Sequence, residues 1–304
     1  ATQAALQDQQ LRYSRAKEAE ADRIGMRTLY NAGLDPYAAP EMFERMLAAS
    51  RYTSAKRIPE FMRTHPLSEK RIADTRNRAM QYPRRIRPVS LEYQLMRARV
   101  AVTLARTPEE AVSQFRAQLA ANPLSDEATT YGLVLALTAA GRPDEAALAL
   151  DGIWSGDQSR IPYVLADAEI DIARGKAKRA AEKLKRRLQL SPGNHPLTMA
   201  YAIALQQAGQ AHIAEAVLEN QAKRRPNDPG LWYQLAEIQG LSGNIIGLHQ
   251  SRAEYFILTG GLDSAQRQLE YALRLAQGDF TTSSEIGERL TQVVKMREAL
   301  DARG

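Results

Sequence analysis

Residues 175–209 read GKAKRAAEKLKRRLQLSPGNHPLTMAYAIALQQAG, residues 209–243 read GQAHIAEAVLENQAKRRPNDPGLWYQLAEIQGLSG, and the two stretches share one frame. Glycine recurs at Gly141, Gly175, Gly209 and Gly243, 34 residues apart each time. A fixed period of that length marks stacked helical hairpins, each too small to bury its apolar face alone. Ala146, Ala180 and Ala214 stand five residues after a glycine, and Ala168, Ala202 and Ala236 seven before one. Small side chains there let antiparallel helices approach closely, and Leu150, Leu184 and Leu218 fill the space between hairpins. Pro192 and Pro226 close two successive units, and Pro123 closes an earlier one after a short insertion.

Working outward, an earlier unit threads through Leu95, Ala111, Phe115 and Pro123. After Gly243 the frame slips by half a period, since Ala253, Gly260, Ala265, Leu269 and Ala272 form a unit centred on Gly260. That slip predicts a helix near residues 231–241 without a partner in the regular scheme. From Thr282 to Ala302, Ile286, Leu290, Val293, Met296 and Leu300 share one face and predict a helix that caps the stack. The pattern resembles the tetratricopeptide repeat. The tryptophan-like position is Trp232 in one unit and Thr198, Val164 and Thr130 in others, so the resemblance rests on small residues and helix breakers.

Such a stack curves and lines its concave wall with the first helices of its units. Tyr131, Leu135, Leu165, Glu169, Met199, Ile203, Tyr233 and Glu237 are the expected partner groove, though packing between helices is an equal use for each. The basic run Lys176, Lys178, Arg179, Lys183, Lys185, Arg186 and Arg187 lies on a second helix whose inner side is Ala180, Ala181, Leu184 and Leu188. It reads first as a solvated face and second as a patch for an acidic partner. No aromatic residues interleave these charges, which argues against nucleic acid.

With 304 residues, 44% hydrophobic and 25% charged, the chain has room for two domains, expected at 1–83 and 88–304. The excess of 41 Lys+Arg over 35 Asp+Glu is mild. No stretch has the roughly 18 apolar residues of a transmembrane helix, and the first residues are too polar for a signal peptide. Any membrane association is therefore expected to be peripheral. The absence of cysteine excludes disulfides, thiolate metal sites and cysteine nucleophiles without fixing a compartment.

The first 82 residues have another texture. Gly33 ends one helical stretch, Asp35-Pro36 opens the next, and Pro83 stops a third. Leu11, Ala21, Ile24, Gly25, Thr28 and Leu29 form an imperfect apolar stripe on the first helix. Glu18 and Asp22 share its face at a spacing of four, and Glu20 points the other way. Two like charges on one face call for a cation, which Lys17 or Arg23 supplies in a purely structural account.

The strings Tyr13-Ser14-Arg15, Glu18-Ala19-Glu20-Ala21-Asp22-Arg23-Ile24-Gly25, Ala32-Gly33-Leu34-Asp35-Pro36 and Arg63-Thr64-His65-Pro66-Leu67-Ser68-Glu69-Lys70-Arg71-Ile72 resemble the part of an HExxH zinc metalloprotease downstream of that motif. The class is the one containing the CAAX prenyl protease. With repeats following, the chain resembles the periplasmic beta-barrel assembly-enhancing protease family of Gram-negative bacteria. The resemblance thus implies an all-α fold, the C-terminal helical part of a zinc metalloprotease domain followed by a tetratricopeptide-type α-solenoid. It also implies one Zn2+ per complete protease domain, with Glu18 as third ligand and Asp22 orienting a zinc-bound imidazole. Outer-membrane proteins and the barrel-assembly machinery are the implied partners, and the periplasm the implied location.

The chain departs from that family in holding only His65, His195, His212 and His249, no two of them four apart. Without HExxH it is expected to be inactive alone, and because Ala1 falls inside an apparent helix it reads as a fragment. His65 sits on a loop from which its imidazole is a candidate switch ligand for the open zinc position. Arg63 is a candidate for binding a substrate carboxylate or the adjoining helix. Two function classes follow: part of a zinc metalloendopeptidase in outer-membrane protein quality control, or a non-catalytic repeat adaptor with a protease-like remnant.

Overall fold

A computed structural model describes residues 2–51, 68–85, 89–121, 127–154 and 160–301. Among them are fifteen helices and no strand, as expected from the sequence. The chain divides into two units, Ala1–Ser90 and Leu91–Gly304.

The first unit holds α1 (Thr2–Asn31), α2 (Ala38–Arg51) and α3 (Glu69–Ala79). Helix α1 ends because Gly33 takes φ 71°, which lets the amide of Leu34 donate to Leu29 O at 2.9 Å. Ser68 caps α3 by accepting from the Arg71 amide at 3.1 Å. Met26, Ile72, Thr75 and Ala79 are buried. The expected stripe on α1 is corrected here: Ala21, Ile24, Gly25 and Thr28 are exposed, and Met26 is the buried residue. Leu11 has no described side chain. Helix α1 meets α3, and α3 meets α2, so the burial on α1 follows the position of one helix and not a full amphipathic stripe.

The second unit runs as α4 (Leu91–Leu104), α5 (Pro108–Ala121), α6 (Glu127–Ala139), α7 (Pro143–Ile153), α8 (Ile161–Ala173), α9 (Ala177–Leu190), α10 (His195–Gln207) and α11 (Ala211–Arg224). It closes with α12 (Pro229–Ser242), α13 (Ile245–Leu258), α14 (Leu262–Leu275) and α15 (Phe280–Asp301). All the spaced alanines and leucines are buried, from Ala146 and Leu150 to Ala214, Leu218 and Ala236. The four periodic glycines have φ between 71° and 84°, the left-handed geometry that ends each first helix. Three apolar clusters divide the core along the stack, the last built on Ala253, Leu269, Ile286 and Val293.

Helix α12 is not unpaired; it packs on both α11 and α13. Helix α13 keeps the 34-residue frame, but Leu248 stands where an alanine was expected. Gly247 and Gly240 allow the close approach instead: a Cβ on Gly240 would lie 2.9 Å from Leu248 Cδ1. The terminal helix α15 packs on α14 with Ile286 and Val293 buried, while Met296 and Leu300 remain exposed.

Candidate functional site

One turn of helix separates Glu18 from Asp22, and α3 supplies the cation between them. Arg71 donates from Nε to Asp22 Oδ2 at 2.7 Å and from Nη2 to Asp22 Oδ1 at 2.8 Å. Its Nη1 lies 2.8 Å from Glu18 Oε2. The Phe43 ring on α2 faces the guanidinium, 4.9 Å from its centroid to Cζ. All three charged side chains are largely buried, at 15% exposure for Arg71, 17% for Glu18 and 10% for Asp22. Hydrogen bonding to Asp22 raises the Arg71 pKa against the opposing effect of burial. Thr75 Oγ1 donates to Arg71 O at 2.6 Å, so the arginine is fixed at its backbone as well.

This geometry corrects the expected counter-charge. Arg23 turns instead to Glu20, donating from Nε at 3.0 Å. That pair is exposed, and the Arg23 guanidinium holds the Glu20 carboxyl below its usual range. Glu20 thus stands apart from the Glu18 face. The clustered side chains border a cavity of about 270 Å³ that Ser68, Asp74 and Thr75 also line. Among the described residues no group of three His, Cys, Asp or Glu side chains is placed to hold a metal ion. Glu18 offers a hard carboxylate oxygen, which fits one ligand of a zinc site; the residues present do not fit a whole one. His65 and Arg63 lie outside the described residues. Of the other histidines, His195 pairs with Asp228, Nε2 to Oδ2 at 3.2 Å, and His249 Nδ1 meets Gln268 Oε1 at 2.7 Å.

The eight groove residues divide. Tyr131 is 0% exposed and Leu135 is buried, so both are core and neither offers a surface, which corrects their place in the expected groove. Leu165, Glu169, Met199 and Glu237 are part exposed, and Ile203 and Tyr233 are exposed. The Tyr233 ring packs 5.6 Å from that of Tyr255 on α13, and Glu237 pairs with Arg252 at 3.4 Å. Sequence reasoning missed Arg99 on α4. It donates from Nη2 to the Tyr131 hydroxyl at 2.8 Å and from Nη1 to Glu169 Oε1 at 2.8 Å, linking the first helices of three units. In the basic run, Lys183 turns to Asp171 at 2.6 Å and Asp167 at 2.5 Å on α8, while Lys176, Lys178, Lys185 and Arg186 are exposed, in keeping with a solvated face.

Residues 1–79 match the model of peptidase family M48, and residues 171–238 that of the tetratricopeptide repeat. The chain is 30% identical over 287 residues to the beta-barrel assembly-enhancing protease of Escherichia coli (strain K12), covering 94% of this chain and 58% of that protein. It is 29% identical over 291 residues to the putative beta-barrel assembly-enhancing protease of Vibrio cholerae, covering 95% and 60%. The chain therefore spans less than two thirds of the curated relatives it matches. Among solved structures, a thermophilic TPR protein of Thermus thermophilus aligns with TM-score 0.41 at 20% identity, covering 67% of this chain and 99% of that one. PilF of Pseudomonas aeruginosa aligns with TM-score 0.43 at 15% identity, covering 70% and 97%.

Proposed function

We propose that this chain, a homologue of the beta-barrel assembly-enhancing proteases, forms the later part of a periplasmic zinc metalloendopeptidase and its repeat arm. The observation that carries the reading is the Glu18 and Asp22 pair, buried on one face of α1 and held by Arg71 within the stretch that matches peptidase family M48. In this reading Glu18 is the third zinc ligand, joined by two histidines from an HExxH segment, and Asp22 orients one of them. Zinc, when bound there, supplies the Lewis acid that activates water.

The repeats dock the substrate or the barrel-assembly machinery through the part-exposed first helices, with Leu165, Glu169, Met199, Ile203, Tyr233 and Glu237 as the wall. Outer-membrane proteins are the substrate class. An apolar wall with a few carboxylates suits extended chains that have yet to bury their apolar residues.

The test is cleavage of an unassembled outer-membrane barrel protein by a polypeptide in which an HExxH-bearing segment precedes Ala1. Glu18→Gln abolishes cleavage with the helical circular dichroism signal intact, and Ile203→Ala with Tyr233→Ala raises KM at unchanged kcat. Undiminished cleavage by the Glu18→Gln protein would sink the reading and leave the repeat-adaptor role in its place.

A further inference from the structure

A second opening lies in the repeat unit, away from the expected wall. A cleft of about 700 Å³ runs between α11 and α13, with α12 as its floor. At about 100° per residue, Trp232, Leu235 and Gln239 stand roughly 150° around α12 from Tyr233 and Glu237, so the cleft is on the other side of the helix. Ala222, Leu235 and the Trp232 ring give it apolar walls. The indole is fixed at the mouth, because its Nε1–H donates to Pro226 O at 2.7 Å.

Two further features point to what the cleft takes. Gln239 is 4% exposed, lines the cleft, and accepts at Oε1 from Ser251 Oγ at 2.6 Å. With Oε1 engaged by Ser251, the amide Nε2–H is the donor the side chain has to offer, and a peptide carbonyl is its natural acceptor. Gly247 leaves room for that amide, since a Cβ there would lie 2.6 Å from Gln239 Nε2. Around the cleft stand three carboxylates, Glu219, Glu254 and Glu285, against one ammonium, Lys223. Glu254 holds Arg289 through two bonds of 2.6 Å, whereas Glu219 and Glu285 are exposed and make no ion pair among the described residues. With Glu254 neutralised by Arg289, Glu219 and Glu285 still outnumber Lys223 at the cleft of a chain whose net charge is +6.

We infer that the α11–α13 cleft is a docking site for a cationic, non-helical peptide segment of another polypeptide. One apolar side chain enters between Trp232 and Leu235, a backbone carbonyl accepts from Gln239 Nε2, and flanking lysines or arginines face Glu219 and Glu285. A helical ligand does not serve, because its carbonyls are already committed within the helix. Nucleic acid and acidic peptides are repelled by the rim.

The experiment uses the full 304-residue chain and a fluorescein-labelled hexapeptide, Gly-Lys-Leu-Lys-Gly-Ser, followed by anisotropy at low salt. The double variant Glu219→Lys with Glu285→Lys weakens binding about tenfold and flattens its salt dependence, as reversal of rim charges does. Trp232→Ala weakens it as well, whereas Leu148→Ala, at an exposed position on α7 outside both the cleft and the wall, leaves it unchanged. The charge-reversed variant keeps the parent's helical circular dichroism signal, because Glu219 and Glu285 are exposed, and the same signal checks that Trp232→Ala, at a ring partly packed on the core, stays folded. Equal binding by the charge-reversed variant would overturn the proposal. So would equal binding of the peptide with glutamate in place of lysine, or a loss caused by Leu148→Ala. Self-association of the chain that the charge reversals abolish would assign the cleft to a second copy instead.

Discussion

Arg71 and Asp22, 49 residues apart in sequence, meet through two parallel hydrogen bonds of 2.7 and 2.8 Å. The fork and the carboxylate match in plane and spacing, and the remaining guanidinium nitrogen reaches Glu18. One arginine thereby ties α3 to the face of α1 that carries both candidate site carboxylates.

Removing that cation leaves two largely buried carboxylates facing each other. Arg71→Ala is expected to destabilise the contact of α1 with α3 by about 3 kcal/mol, the scale for breaking a buried ion pair from one side. Arg71→Lys keeps the charge, loses the fork and falls between. Hydrogen exchange resolved along α1 and α3 checks this; protection equal to the parent's in Arg71→Ala would show that the ion pairs do not hold the two helices.

Glycine is needed at some positions and incidental at others. Gly175 has φ 72°, so Gly175→Ala costs about 1–2 kcal/mol. Gly287 lies inside α15 with nothing within 4 Å of where a Cβ would stand, so Gly287→Ala is neutral or stabilising by up to about 1 kcal/mol. Paired urea melts of the two variants read the opposite signs.

Gly132 has a different reason. Helix α6 passes so close to Phe115 on α5 that a Cβ on Gly132 would overlap the ring. Gly132→Ala is expected to cost about 1–3 kcal/mol by overpacking, and Phe115→Leu in the same chain recovers part of it. A double-mutant cycle gives the coupling directly.

His195 gives the repeat unit a pH dependence. Burial lowers its pKa below the ordinary 6.5, more than the nearby Asp228 carboxylate raises it. The unfolded chain then binds the proton more readily than the folded one. The stability associated with neutral His195 is present above pH 6.5 and is lost as pH falls from there through the lower folded value. His195→Gln, which keeps a hydrogen-bonding amide and does not titrate, flattens melting temperature against pH over that interval.

The repeat fold is legible because its signals are local and recur. Left-handed glycines end helices, and alanines and leucines fall at fixed distances from them. The frame misleads only where Gly247 and Gly240 provide close approach in place of alanine, a relation that needs the neighbouring helix to be seen. At the candidate site, the common face of Glu18 and Asp22 follows from helix geometry. Their partner does not, because a spacing rule within α1 favours Arg23 and says nothing of a residue 49 positions on. Tyr131 and Leu135 fall on the expected wall only if position in a first helix implies exposure. Arg99 and the packed neighbours of α6 put them in the core.

The most direct measurement is the zinc content, by elemental analysis after desalting, of a polypeptide that joins an HExxH-bearing segment to this chain, with and without Glu18→Gln. The account predicts a ratio near one zinc per chain that falls towards zero in the variant, with α1 and α3 still protected from hydrogen exchange. A Glu18→Gln protein that keeps its full zinc would contradict Glu18 as a ligand, and with it the assignment of this face of α1 to the protease centre.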